Sequence, residues 1–129
     1  MAALPERARE LIDARNFATV ATIQPDGGPQ TSVVWVKRDG DDILFSTIKS
    51  RRKYANLVAD PRISVLVTEA GDAYRYAEIR GQAVMTDDPR AALIDELAHK
   101  YTGEAFNPPP GQERVVVRVV PAHVVVYEE

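Results

Sequence analysis

Residues 17–48 read FATVATIQPDGGPQTSVVWVKRDGDDILFSTI. Three runs in this stretch, 17–23, 30–37 and 43–48, are rich in β-branched and aromatic residues, which pack well on a pleated surface and predict strands. Between them lie QPDGGP (24–29) and RDGDD (38–42), where proline, aspartate and glycine each favour a tight turn. Turns this short join antiparallel neighbours, because a parallel pair needs a long crossover. Alternation along the second run puts Gln30, Ser32, Val34 and Val36 on one face and Thr31, Val33 and Trp35 on the other.

The flanking chain extends the same scheme. Residues 5–15 predict a short helix, with Pro5 suited to a first-turn position and Ala8, Leu11 and Ile12 on one face. A second helix is expected over 50–58, with Ser50 as its N-cap and Asp60-Pro61 as its stop. Strands follow at 62–68 and 74–85. Asp87-Asp88-Pro89 opens a third helix, a capping carboxylate with proline early in the first turn, and Leu93, Ile94 and Leu97 form its apolar face. NPPPG (107–111) reads as a stiff loop, and 114–127 as a strand pair or one strand bent at Pro121. The expected fold is mainly β, an antiparallel barrel with flanking helices, because closure removes exposed sheet edges. No repeat or composition shift divides the chain, so a single domain over 1–129 is expected.

Composition narrows the chemistry. Of 129 residues, 45% are hydrophobic and 27% charged, as in a soluble globular domain. The absence of cysteine excludes disulfides, thiolate metal sites and a cysteine nucleophile. The formal charge of −3 argues against a general nucleic-acid binder. No apolar run is long enough to span a membrane, and the first eleven residues, with Glu6, Arg7, Arg9 and Glu10, lack a signal peptide's apolar core. A cytoplasmic location is therefore expected, with no membrane and no nucleic-acid partner.

A G-x-S-x-G turn, a P-loop, an H-E-x-x-H pair and a Rossmann glycine motif are all absent. Asp41-Asp42 and Asp87-Asp88 sit in turn contexts that capping and solvation explain. His99 is expected on a polar helix face and His123 half-buried, neither as a ligand, and no metal is expected. With so few acid–base or nucleophilic side chains, catalysis here would depend on a bound cofactor. The strongest positive signal is KSRRK (49–53), four bases in five residues where a strand ends and a helix begins. Free N–H groups and the positive dipole end suit a phosphate there, and Ser46 and Thr47 add hydroxyls. A solvated basic turn is the plainer reading of the same residues. Trp35, Tyr74 and Tyr76 form a weaker signal, since strand aromatics are usually core or interface residues. Arg114 and Arg118 read as solvated arginines on a terminal strand.

The run ATVATI, PDGGPQ, TSVVWVK, ILFST and SRRKYANLVADPR, followed by YAEIRGQAVMTDDP at 76–89, resembles the split-barrel flavin and deazaflavin oxidoreductases that include pyridoxamine 5′-phosphate oxidase. The most specific part is the pattern of Arg51, Lys53, Asn56 and Leu57 followed by Asp60, Pro61 and Arg62. Within that superfamily the chain looks like the branch that uses the deazaflavin coenzyme F420. The resemblance implies a six-stranded antiparallel split β-barrel and a homodimer with cofactor at the subunit interface. It implies that Arg51 and Lys53 meet the cofactor phosphate with Ser46 and Thr47, in a motif that also carries Asn56. It places Gln30, Ser32 and Val33 along the ring, and brings Tyr74 and Tyr76 from the partner subunit. Arg52 falls in a variable slot. The chain lacks the longer C-terminal region of the pyridoxamine phosphate oxidases, which makes pyridoxamine phosphate an unsuitable substrate. The implied activity is hydride transfer between F420 and an unsaturated or aromatic small molecule. FMN is the alternative cofactor, and a non-catalytic carrier of a flavin or deazaflavin is the alternative role.

Overall fold

The computed structural model describes residues 2–128; Met1 and Glu129, the two ends of the expected domain, lie outside the described residues. The elements run α1 (Glu6–Asp13), β1 (Ala18–Ile23), β2 (Pro29–Val34), β3 (Lys37–Asp39), β4 (Asp42–Ile48), α2 (Arg52–Ala59), β5 (Arg62–Glu69), β6 (Asp72–Asp87), α3 (Ala92–Thr102) and β7 (Arg114–Glu128). All strand pairs are antiparallel, in the order β2-β1-β5-β6-β7-β4-β3.

The two edge strands of this sheet, β2 and β3, are consecutive in the chain and separated only by Trp35 and Val36. Two residues cannot cross a flat seven-stranded sheet, since an extended residue spans only about 3.3–3.6 Å. The sheet therefore curls until its edges meet, which makes the expected split barrel. Seven strands stand where six were expected because the run 30–37 is broken. Its first part pairs with β1, and Lys37 onward pairs with β4, so Arg38 and Asp39 are strand and the turn shrinks to Gly40-Asp41.

Val20, Val36, Phe45, Val65, Ile79 and Val117 are fully buried at the centre of the barrel. β4 is covered on both faces, by this core and by Leu93 and Leu97 of α3 against Leu44. Burial on both faces explains why Ile43, Leu44 and Phe45 are apolar in succession with no alternation. α1 buries the expected Ala8, Leu11 and Ile12.

Several local expectations need correction. Ser50 does not cap α2. The Arg51 N–H bonds to the Ile48 carbonyl at 3.0 Å, which places Ser50 in the preceding turn and Arg51 at the N-cap position, without a side-chain cap. Asp88 does cap α3, accepting from the N–H groups of Ala92 (3.1 Å) and Leu93 (3.0 Å). The helix starts at Ala92, so Pro89 lies in the turn before it. His123 is exposed. β7 is a single strand, bent at Pro121 opposite a register shift between Arg80 and Gly81. No helix among the described residues is long and apolar enough to cross a membrane.

The bend at Pro121 depends on Gly81. A Cβ there would lie 2.1 Å from the Val120 carbonyl oxygen and 3.1 Å from Pro121 Cα, both backbone atoms that cannot rotate away. Gly81→Ala is expected to destabilise the fold by at least about 2 kcal/mol. Calorimetry should show this as a Tm lower by roughly 6–10 °C. An unchanged Tm would mean that the two strands separate freely at this point.

Candidate functional site

A cavity of about 260 Å³ opens where β4 gives way to α2, bounded by the end of β2, the start of β7 and the side of α3. Its lining is of two kinds. Ser46, Thr47, Arg51, Lys53 and Arg114 are the polar residues. Phe17, Val33, Val34, Trp35, Ile48, Ile94 and Leu97 are the apolar ones.

The chain reaches this arrangement by ordinary means. The β4–β7 register sets Ser46 against Val116, Thr47 against Val115 and Ile48 against Arg114, so the last turn of β4 and the first residue of β7 share one end of the sheet. The Ile48–Arg51 turn then swings α2 across that end. The basic run divides by role. Lys49 is held by Asp87 at 3.1 Å and also lies 3.8 Å from Glu113, and Arg52 is exposed and does not line the cavity. Arg51 and Lys53 line the cavity.

No acidic residue among the described residues lines the cavity. Arg7, Arg9, Lys37, Arg38, Lys49, Arg62, Arg75, Arg80 and Arg118 all have carboxylate partners. Arg51, Lys53 and Arg114 have none among the described residues. Burial, and then the Arg51 charge, pushes the Lys53 ammonium below the usual lysine pKa. The same two causes lower Arg114, with Asp88 opposing them. The Arg114 guanidinium lies 4.9 Å from the Phe106 ring centroid, and its Nη2 donates to Gln112 at 2.9 Å. Its Nε is buried without a partner, as is the hydroxyl of Thr47, a residue only 3% exposed. Buried polar atoms are normally hydrogen-bonded, and uncompensated cations repel. A phosphate or other multiply charged oxyanion answers both deficits. The residues present therefore fit a phosphate-bearing cofactor.

The structure gathers five of the expected site residues, Val33, Ser46, Thr47, Arg51 and Lys53, around the cavity. The other five lie elsewhere in this chain. Asn56, 2% exposed, donates to Thr22 Oγ1 at 3.0 Å, and Thr22 donates to Gln30 Oε1 at 3.1 Å. This chain of bonds ties α2 to β1 and β2 and so fixes the helix that carries Arg51 and Lys53. The Ser32 hydroxyl is buried without a partner, one position along β2 from the exposed Val33. Tyr74 is exposed on β6. Tyr76 stacks on Tyr127 at 5.2 Å and borders a separate apolar hollow of about 460 Å³ with Thr19, Leu66 and Val125.

Sequence reading missed Arg114, Phe17, Ile94 and Leu97 as cavity residues. Arg114 looked like a solvated strand arginine, and only the β4–β7 register brings it beside Ser46. Ile94 and Leu97 looked like plain helix-face residues, and they are both core and cavity wall. Among the described residues no group of three histidine, aspartate or glutamate side chains is placed to hold a metal.

The sequence matches the family described as pyridoxamine 5′-phosphate oxidase over residues 4–127. No curated protein matches it. Among solved structures, it is similar to a protein described as an F420 reductase, 31% identical, with a TM-score of 0.86 over 95% of this chain and 98% of the other. A conserved hypothetical protein from Mycobacterium tuberculosis is 26% identical, with a TM-score of 0.79 over 98% of this chain and 86% of the other. A pyridoxamine 5′-phosphate oxidase-related, FMN binding protein from Nostoc punctiforme PCC 73102 shares the fold at 17% identity, with a TM-score of 0.63 over 96% and 84%. By sequence match across nearly its whole length, with the split barrel to accompany it, the chain belongs to the pyridoxamine 5′-phosphate oxidase family.

Proposed function

We propose that the protein is an oxidoreductase that binds coenzyme F420 and transfers a hydride between that deazaflavin and an unsaturated or aromatic small molecule. The observation that carries this reading is the cation set Arg51, Lys53 and Arg114, without carboxylate partners among the described residues, sharing one cavity with the orphaned Thr47 hydroxyl and with apolar and aromatic side chains. A cofactor that carries both a phosphate and a flat ring suits that lining. The likeness to the F420 reductase, at 31% identity, favours the deazaflavin. FMN is the second reading, since it also carries a phosphate on a ribityl chain and the FMN-binding relative shares the fold.

When bound, a reduced deazaflavin supplies a hydride from its ring carbon. The chain's own residues anchor, orient and shield. Arg51, Lys53, Arg114, Ser46 and Thr47 would hold the phosphate, and Val33, Ile94 and Leu97 would keep water from the ring. No histidine or carboxylate among the described residues lines the cavity and Lys53 is engaged by the phosphate, so proton delivery falls to solvent.

A cavity of about 260 Å³ lies below the roughly 300–1,000 Å³ of sites for ligands of this size. A second copy of the chain would supply the remaining wall. The outer face of the sheet is suited to it. Val33, Thr19, Leu66, Glu78 and Val125 form one row across five strands, and Ala21, Ser64 and Arg80 lie in the next. The face carries small apolar and hydroxyl side chains, with Thr31 and His123 at its margins, and Glu78 and Arg80, 3.7 Å apart within the chain, can exchange partners with their counterparts across a two-fold axis. Tyr74 and Tyr76 would then approach the partner's cofactor.

Titration with F420 and, separately, FMN, followed by quenching of Trp35, the only tryptophan, tests the cofactor. Tight F420 binding with weak FMN binding is expected, and binding of neither would overturn the reading. Reduced F420 that stays bound and unoxidised across many acceptors would favour the carrier. Lys53→Ala should raise the cofactor Kd roughly 10- to 100-fold, as for loss of a hydrogen bond to a charged group. Its melting temperature should not fall, because the ammonium is disfavoured in the fold.

Affinity should also depend on pH. The Lys53 pKa is lowered in the free protein, and a bound phosphate raises it. Binding therefore takes up a proton between those two values, and affinity falls as pH rises through them. Measured from pH 7.5 upward, where a phosphate monoester is already ionised, the decline should be present in the parent protein and absent in Lys53→Met. Lys100, pushed down to about 8 by burial and Lys37 against the opposing pull of Asp13, does not line the cavity. Lys100→Met should keep the decline. Leu66→Asp, on the outer face, should give a folded monomer in light scattering where the parent is a dimer. A dimer that survives that change would place the interface elsewhere.

A further inference from the structure

Val36 joins the two edge strands, and its backbone groups are satisfied by α3. Its N–H donates to the Tyr101 hydroxyl at 3.2 Å, and its carbonyl accepts from Lys100 Nζ at 2.7 Å. The Tyr101 hydroxyl in turn donates to the Asn16 carbonyl at 2.6 Å. One phenol thus holds the residue before Phe17 and the residue after Trp35. Its ring is also common to two stacked pairs, with Trp35 at 5.4 Å and 10° between planes, and with Phe17 at 5.7 Å and 30°. Phe17 is 59% exposed although it rests on Tyr101, so much of its surface is open, and both Phe17 and Trp35 line the cavity.

We propose that Phe17 and Trp35 form a shelf that takes a flat conjugated ring in the cavity, with Tyr101 the positioning residue that sets both rings. An exposed phenylalanine braced by a stacked ring and a doubly bonded phenol presents a rigid aromatic surface, and such surfaces favour flat π-systems over saturated ones. The inference rests on the proposed function only for the source of the ring, which is either the redox cofactor or its acceptor. It extends that reading by naming the residues that select planar, unsaturated ligands.

Three probes separate the parts. Riboflavin has the ring without phosphate, menadione is a planar acceptor without either, and inorganic phosphate has charge without a ring. Saturable quenching of Trp35 by riboflavin or menadione is expected in the parent protein. Riboflavin quenching places the cofactor's ring on the shelf. Menadione quenching that persists with F420 bound places the acceptor there. Phe17→Ala should weaken the quenching ligand roughly tenfold, with its competition by phosphate unchanged. Tyr101→Phe keeps the ring and removes the hydroxyl; it should shift the Trp35 emission and weaken the same ligand several-fold. Because Phe17 is largely exposed, its variant should fold even where the Tyr101 variant does not. Absence of any anion binding would overturn the cofactor reading and leave the shelf standing. The shelf is overturned if neither ring compound quenches Trp35 saturably, or if Phe17→Ala binds the ring as tightly as the parent does.

Discussion

The structure depends on a two-residue link between opposite edges of one sheet. Trp35 and Val36 run from β2, paired with β1, to β3, paired with β4, and that short span obliges seven strands to curl. At the break, the Val36 N–H and carbonyl lose ladder partners, and a buried peptide group without partners costs as much as a lost hydrogen bond. α3 supplies them through Tyr101 and Lys100. Lys100 also takes the Ile12 carbonyl at the end of α1, at 2.7 Å, so one helix end fastens the split and the first helix together. Next to this fastening, Lys37 pairs with Glu96, a second tie between the start of β3 and α3.

The same closure creates the site. A continuous β2 would carry Trp35 onward along one edge. The break turns it beside Phe17 and Tyr101, and the cavity forms between that corner and the end of β4. The cations come from two elements that meet there because of the β4–β7 pairing, and Asn56 locks α2 at the right height through Thr22. Stability and binding thus use different residues on shared elements. Asn56 and Lys100 hold the frame, while Arg51, Lys53 and Arg114 remain without ionic partners.

Much of the frame was readable from local pattern. Prolines, glycines and alternation marked nearly every strand, because turn chemistry and burial of one face are properties of a few adjacent residues. The break at Trp35 was not readable, since its cause is the meeting of two edges far apart in the pairing order. At the site, the basic run marked a corner where a cavity lies, but sequence spacing alone could not divide it. Lys49 belongs to Asp87, thirty-eight positions away, and only folding reveals that. Arg114 was misread for the same reason. Its role depends on which strand lies beside β7. Gln30 and Asn56, named with the site by family pattern, are joined to each other through Thr22 and support the site from behind.

Half-buried Lys53 and Arg114 and the exposed Arg51 stand together without a carboxylate partner among the described residues, an arrangement that costs stability in a protein with no ligand. Desolvation and the Arg51 charge disfavour Lys53 and Arg114, and nineteen acidic residues were available to neutralise them. Among the described residues, acidic side chains pair with nine of the thirteen cations outside this cavity and with none of the three that line it. A carboxylate on Arg51 or Lys53 would relieve the repulsion and compete with an incoming phosphate for the same donors. Leaving the donors unpaired trades stability of the empty fold for affinity, because any anion that binds only the folded state shifts the folding equilibrium in its favour. The catalytic poverty of the chain fits the same logic. With no histidine or carboxylate among the described residues that line the cavity, what the fold sets there is the position of its cations and of the aromatic surface of Phe17 and Trp35.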